Sequence, residues 1–260
     1  MNIVVCLKQT LDTEERVVSR AGTVEPEDGK RVVNPYDDFA LEEAIRLKEK
    51  IGGTVTVITV GPQRAEAAIR SAFAVGADEA LLIHDERLFG DEYAIAETLA
   101  AAIRTRADAG KPFDLVLAGH MSVDNGASQG GPRIAELLGI PHIAAVTELV
   151  VSGSEVKARR DVEGDEETVT VKLPLLATAQ QGLNEPRYPT LPGIMKAKKK
   201  PIETATAEQI GLDSARFMPK TITVERFLPP PKQPGRLMTG ELHEQAAELV
   251  RLLHEEAKML

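Results

Sequence analysis

Residues 119–132, GHMSVDNGASQGGP, have the composition of an anion-holding loop. Small residues let a ligand approach the backbone, and the free amides at the start of a following helix hold negative charge without a basic side chain. The loop lacks the Walker A lysine and the G-x-G-x-x-G spacing, so on its own it also fits a plain glycine-rich turn. The second stretch is 182–200. Pro186, Pro189 and Pro192 each lack a backbone donor and push the preceding residue towards extended conformations, which predicts a stiffened loop and excludes a helix or central strand. It carries apolar Tyr188, Leu191, Ile194 and Met195, then the cations Lys196, Lys198, Lys199 and Lys200. An apolar anchor on a rigid loop beside a cationic collar suits docking to an acidic partner protein. The alternative is a proline-rich crossover folded back on its own domain.

Other chemistry is thinly represented. His84, His120, His142, His243 and His254 are scattered, with no metal-ligand spacing among them. His120 sits in the glycine-rich loop, where it reads as a polar loop residue within reach of a nucleotide. There is no G-x-S-x-G, and the single cysteine, Cys6, lies in an apolar run, which predicts a buried, inert thiol. No catalytic constellation emerges, so a nucleotide held by this chain is expected to be structural. The formal net charge of -9 argues against wholesale nucleic-acid binding. Without an apolar run of about 20 residues, no membrane insertion is expected, and with a strand pattern at the very start, a cytoplasmic chain is.

These stretches need a frame to position them. Tryptophan is absent and aromatics make up 3% of the 260 residues, so the core is expected to be Ala, Val, Leu and Ile, the material of buried parallel sheets. Residues 2–7 read as the central strand, 8–33 as an excursion containing a hairpin, and Asn34 as the cap of a helix with Pro35 at its first position and Asp37 and Asp38 at its positive end. Strands over 54–60, 80–83 and 114–118 alternate with helices over 63–75, 91–106 and 133–138, the pattern of βαβ units. From 143 to 173 strand-like segments with short turns predict an antiparallel excursion, after which 175–179 returns to the sheet. The expected fold is therefore α/β, a doubly wound, mostly parallel, Rossmann-like sheet over residues 1–200. A C-terminal extension over 201–260 follows, with a strand over 221–227, a proline-rich spacer and a terminal helix striped by Leu242, Ala246, Leu249, Leu253 and Ala257. That stripe is expected to dock on its own domain or on a neighbouring subunit.

Residues 184–200, NEPRYPTLPGIMKAKKK, closely resemble the signature and recognition loop of the beta subunit of electron transfer flavoproteins. The likeness reaches the first strand, the Asn34 helix start and the Gly119 loop, covering most of the chain to about Ile202. It implies an adenine-nucleotide-binding fold that holds a structural AMP, paired with an alpha subunit that holds the redox-active FAD. By matching motif, the AMP contacts fall on Cys6, on Asn34, Pro35, Tyr36 and Asp37, and on Val60. They also fall on the loop residues Gly119, His120, Met121, Ser122, Val123, Asp124, Asn125, Gly126, Ala127, Ser128, Gln129 and Gly130. The resemblance further implies that Leu191 enters a partner acyl-CoA dehydrogenase, supported by Tyr188, Ile194, Met195 and Lys196, with electrons passing on to a quinone oxidoreductase. Asp161 matches an acidic position near the alpha-subunit FAD domain. Electron-bifurcating members carry a second FAD in this pocket and a run of the Asp-Thr-Ala-Gln-Val-Gly-Pro type, whereas this chain has GASQGGP at 126–132, which favours AMP and a non-bifurcating carrier. The alternatives are a bifurcating-type subunit, a nucleotide-binding sensor of the ATP-pyrophosphatase-like fold, and a ligand-free scaffold.

Overall fold

The computed structural model describes residues 1–12, 14–20, 23–26, 29–213, 217–225, 227–232 and 234–259. Two compact units are present, residues 1–226 and 227–260. In chain order the first unit runs β1 (Asn2–Cys6), β2 (Gln9–Leu11), β3 (Val17–Arg20), β4 (Thr23–Pro26), β5 (Arg31–Val33), α1 (Pro35–Ile51), β6 (Thr54–Val60), α2 (Glu66–Val75), β7 (Glu79–Ile83) and α3 (Glu92–Asp108). It continues with β8 (Leu115–Gly119), α4 (Gly130–Leu138), β9 (His142–Ser152), β10 (Glu155–Val162), β11 (Asp165–Lys172), β12 (Leu175–Ala179), α5 (Leu191–Ala197) and β13 (Glu203–Ala205).

Nine strands form one sheet in the order β11-β10-β9-β12-β8-β1-β6-β7-β13. Every pairing is parallel except those of β10 with β9 and β11, which make the expected antiparallel excursion. The short β13 adds an edge strand beyond residue 200. The nested pairs β2 with β5 and β3 with β4 form the excursion predicted between the first strand and the first helix.

The continuous apolar runs are explained by two cores, one on each face of the sheet. Ile3 and Val5 of β1 enter the core under α1 and α2, while Val4 and Cys6 enter the core under α3 and α4. Leu115 and Leu117 of β8 divide from Val116 and Ala118 in the same way. A strand buried on both sides cannot alternate with polar residues, because each buried Val, Leu or Ile stabilises by about 1.5–3 kcal/mol relative to exposure. By contrast, β10 buries Val156 and Ala158 while Glu155, Lys157 and Arg159 face out.

Two expectations need correction. Residues 221–225 and 227 form no strand: Ile222 and Val224 stand exposed, without the partner that alternation requires. The segment 182–200 contains the helix α5, although three prolines argued against one. Pro192 lies in its first turn, where the missing amide would have had no intrahelical partner, and the Thr190 side chain caps the turn by accepting from Gly193 N. Asn34 is the N-cap residue of α1, as expected, although its side chain makes no cap bond and its amide is used elsewhere. The second unit contains α6 (Leu242–Glu255), which opens with a reciprocal Glu241 and Glu244 capping box, and none of its residues is buried.

α4 begins on β12 at very close range. A Cβ added at Gly131 would lie 2.3 Å from Thr178 Cγ2, and Thr178 is fixed because its Oγ1 accepts from Ala145 N at 3.0 Å. Gly131→Ala is therefore expected to lower stability by about 1–3 kcal/mol through overpacking. Denaturant unfolding checks this, and an unchanged midpoint and slope would contradict it.

Candidate functional site

The register of the sheet sets Cys6 level with Ile58 on one side and Ala118 on the other, so the loops after β1, β6 and β8 leave from one edge. Asp37, in the first turn of α1, joins two of them. Its Oδ2 accepts from Lys8 N at 2.6 Å and its Oδ1 from Gly119 N at 3.0 Å, with Asn34 Nδ2 also donating to Oδ1 at 2.9 Å. Burial pushes the Asp37 carboxyl up to about 7, against the downward pull of these donors. Asn34 extends the junction by donating to Met121 O and accepting from Val123 N. The fit explains a glycine: a Cβ at Gly119 would lie 2.3 Å from Asp37 Oδ1.

Above this junction lies a cavity of about 830 Å³, within the range of small-molecule sites. Thirteen of the positions that the motif match assigns to nucleotide contact line it: Cys6, Asn34, Asp37, Val60, Gly119, His120, Met121, Ser122, Asn125, Ala127, Ser128, Gln129 and Gly130. Pro35, Tyr36, Val123, Asp124 and Gly126 do not line it. Pro35 opens α1, Tyr36 packs against Gly119, and Val123 bonds Asn34. Asp124 pairs with Lys8 Nζ at 2.7 Å, and Gly126 turns the loop at φ 64° while donating to Ser122 O. Sequence reasoning passed over the walls contributed by Gly61, Pro62 and Arg64 after β6 and by Phe89, Gly90, Asp91 and Glu92 after β7, together with Ile95, Leu99 and Ile134. The signal was present, since a parallel βαβ sheet brings the loop after β7 to the same edge.

The cavity has two chemical characters. Phe89, Ile95, Leu99 and Ile134 supply apolar surface for a flat ring. The loop 127–131 supplies backbone at the start of α4, with Ser128 at φ 54°, the kind of left-handed bend with which a loop can gather amides around an anion. His120 is held below its ordinary value by burial and by the Arg160 charge, which keeps it neutral at pH 7. Burial, aided by the Asp37 charge, pushes the Cys6 thiol up to about 12, so it is no nucleophile. Among the described residues, no group of three His, Cys, Asp or Glu is placed to hold a metal ion.

The second candidate surface is α5. Its base is tied down from several sides. Asn184 Nδ2 donates to Phe39 O and Glu43 Oε2, and Arg187 pairs with Glu42 and Glu49. Arg70 Nη1 donates to Ala197 O. Burial raises the Glu42 carboxyl, but Arg187 and Arg46 more than offset this and leave it below its ordinary value. A Cβ at Gly193 would lie 2.4 Å from Ala74 O, so α5 sits directly on α2. Its tip is bare: Tyr188 is 93% exposed, Leu191 79% and Met195 67%, with Ile194 partly covered. Lys196, Lys198 and Lys199 are exposed beside it. Lys200 is not part of that collar, because its Nζ donates to Ala77 O at 2.6 Å and lies 5.0 Å from the centroid of the Phe73 ring. Asp161 is exposed on β10.

Comparison with known proteins places the chain among its relatives. Residues 22–210 match the model of the electron transfer flavoprotein domain. The chain is 49% identical to the electron transfer flavoprotein subunit beta of Bacillus subtilis, over the whole of both chains. It is 40% identical to the corresponding subunit of Clostridium acetobutylicum, covering 98% of this chain and 99% of that one. It is 38% identical to the caffeyl-CoA reductase-Etf complex subunit CarD of Acetobacterium woodii, covering 98% of each.

The Asp37 junction yields a direct test. In Asp37→Asn an amide replaces one acceptor oxygen and meets an N–H donor, leaving a buried group unpaired, so the variant is expected to lose about 1–3 kcal/mol of stability. Chemical denaturation with unchanged midpoint and slope would show that the carboxylate does not hold the loops.

Proposed function

This chain belongs to the electron transfer flavoprotein family, and from that premise we propose that it is the non-catalytic beta subunit of a cytoplasmic heterodimer whose alpha subunit holds the redox-active FAD. In this reading the chain binds AMP as a structural ligand and docks acyl-CoA dehydrogenases. Electrons enter the partner's flavin and pass on to a quinone oxidoreductase. The observation that carries the docking half is α5, a helix locked at its base with Tyr188, Leu191 and Met195 standing in solvent. A helix this firmly seated loses little conformational freedom on binding, so its exposed apolar side chains contribute affinity efficiently. The net charge of -9 makes Lys196, Lys198 and Lys199 a local exception suited to steering an acidic partner.

AMP fits the cavity's division into an apolar side and a backbone-rich loop. The backbone of the loop 119–130 would hold it by hydrogen bonding, with Asn34 and Asp37 fixing that loop's position, and nothing in that set activates a bond for cleavage. A cavity near the upper end of the usual size range also leaves room for the second reading, a further FAD in place of AMP. The sensor reading requires turnover, for which no phosphate-gripping lysine motif is available.

Leu191→Ala is expected to lower the rate of reduction by the dehydrogenase about tenfold or more, as loss of a central anchor does, while stability changes by less than about 0.5 kcal/mol. Stopped-flow reduction of the alpha-subunit flavin measures this, and native kinetics would contradict the docking role. Raising the salt concentration is expected to slow the native reaction through the lysines. Denaturing the purified two-chain complex and identifying the released nucleotides should give one FAD and one AMP, whereas two FAD and no AMP would establish the second reading.

A further inference from the structure

One stretch of the cavity wall is held by a segment far away in sequence. Phe89, Gly90, Asp91 and Glu92 line the cavity between β7 and α3. Asp91 caps α3, with its Oδ1 accepting from Ala94 N at 3.0 Å. Its second oxygen serves a different purpose. Asp91 Oδ2 accepts from Lys220 N at 2.7 Å, Thr221 N at 2.8 Å and Thr221 Oγ1 at 3.0 Å. Around this clamp Pro219 packs so tightly that a Cβ at Gly90 would lie 2.8 Å from its Cγ. Phe217 is buried in the core, and Lys220 Nζ lies 5.0 Å from the Tyr93 ring centroid. None of residues 217–221 lines the cavity itself.

We propose that residues 217–221 are a strap that holds this wall shut over the bound nucleotide, with the Asp91 carboxylate as its buckle. This rests on the reading that an adenine nucleotide occupies the cavity. A charged acceptor serving three donors is among the stronger hydrogen-bonding arrangements available, and it clamps the α3 end of a loop whose β7 end is held separately, with Asp85 accepting from Ala207 N and Leu88 fully buried. On the cavity side the same wall is bound by Asn125 Nδ2 donating to Glu92 Oε1. The glycine-rich loop thus meets the wall from within and the strap meets it from without. A ligand held against this wall leaves more readily when the wall swings, and the strap restrains that swing. Retention of the nucleotide is therefore set by a segment that does not touch it.

Asp91→Asn separates the two functions of the side chain, because asparagine caps a helix as well as aspartate but presents an amide to the strap's donors. The full-length chain, purified with its companion subunit and loaded with labelled AMP, is followed by gel filtration for loss of label. Release is expected to be at least about tenfold faster in Asp91→Asn and about threefold faster in Thr221→Val, which removes one of the three donors. Phe217→Ala, which deletes the strap's buried anchor, is expected to speed release as well. Hydrogen exchange is expected to rise in residues 86–92 and to stay native in β1 and β8. Native release from Asp91→Asn would overturn the strap. So would fast release from Asp91→Asn alongside native release from Thr221→Val and Phe217→Ala, since Asp91 would then act on the ligand directly. A native complex that carries no adenine nucleotide would instead overturn the occupancy reading, and the strap's role in retention with it.

Discussion

The carboxylate of Asp37 is the contact on which the site depends. Parallel strands end in loops whose backbone groups have lost their ladder partners, and those groups must be satisfied before a cavity can be lined by them. Asp37 does this for two neighbouring strands at once by accepting from Lys8 N and Gly119 N. Its cost is the burial of a charge, only partly offset by the three N–H donors converging on it, since the carboxyl stays raised to about 7. The glycine at 119 follows directly, since any side chain there would collide with the acceptor. The site is thus fixed by the fold's own hydrogen bonding.

What the frame contributes is stiffness without reactivity. Two cores sandwich the sheet, and the alanine-rich face of α3, with Ala96, Ala100 and Ala102 all buried, brings that helix close to the strands. Cys6 and Asp37 are the titratable groups most deeply placed at the cavity; the first is held as a neutral thiol and the second is consumed as a structural acceptor. The same economy governs α5, where Arg187, Glu42 and Asn184 lock the base so that Leu191 can stand in water. An exposed leucine on a mobile loop would collapse onto nearby apolar surface, whereas one on a seated helix stays presented.

Much of this was legible in the sequence, and the gaps have physical reasons. Two-sided burial writes itself as unbroken apolar runs, so β1, β6 and β8 were readable, and Asn34, Pro35 and the two aspartates marked the start of α1. Proline misled at 182–200 because its effect depends on position: Pro192 is tolerated in a first turn but would break a later one. The alternation in 221–227 suggested a strand, yet alternation specifies a strand only when a neighbour supplies the ladder, and the described residues there have none. Asn34 and Asp37 were recognised as helix-start residues, but their bonds to Lys8, Gly119 and Met121 connect positions up to 87 apart in sequence. Such contacts leave no periodic trace. The wall after β7 was readable in principle, because a parallel βαβ sheet carries that loop to the same edge, but the contact of Asp91 with Lys220, more than a hundred residues downstream, was not.

The account holds that the cavity is built before any ligand enters it. Hydrogen exchange on the chain freed of any bound ligand tests this most directly. Protection of the Lys8 and Gly119 amides at the level of the central strand amides is the result the account predicts. Exchange of those two amides at the rate of an open loop would contradict it, and would mean that the ligand, not Asp37, assembles the site.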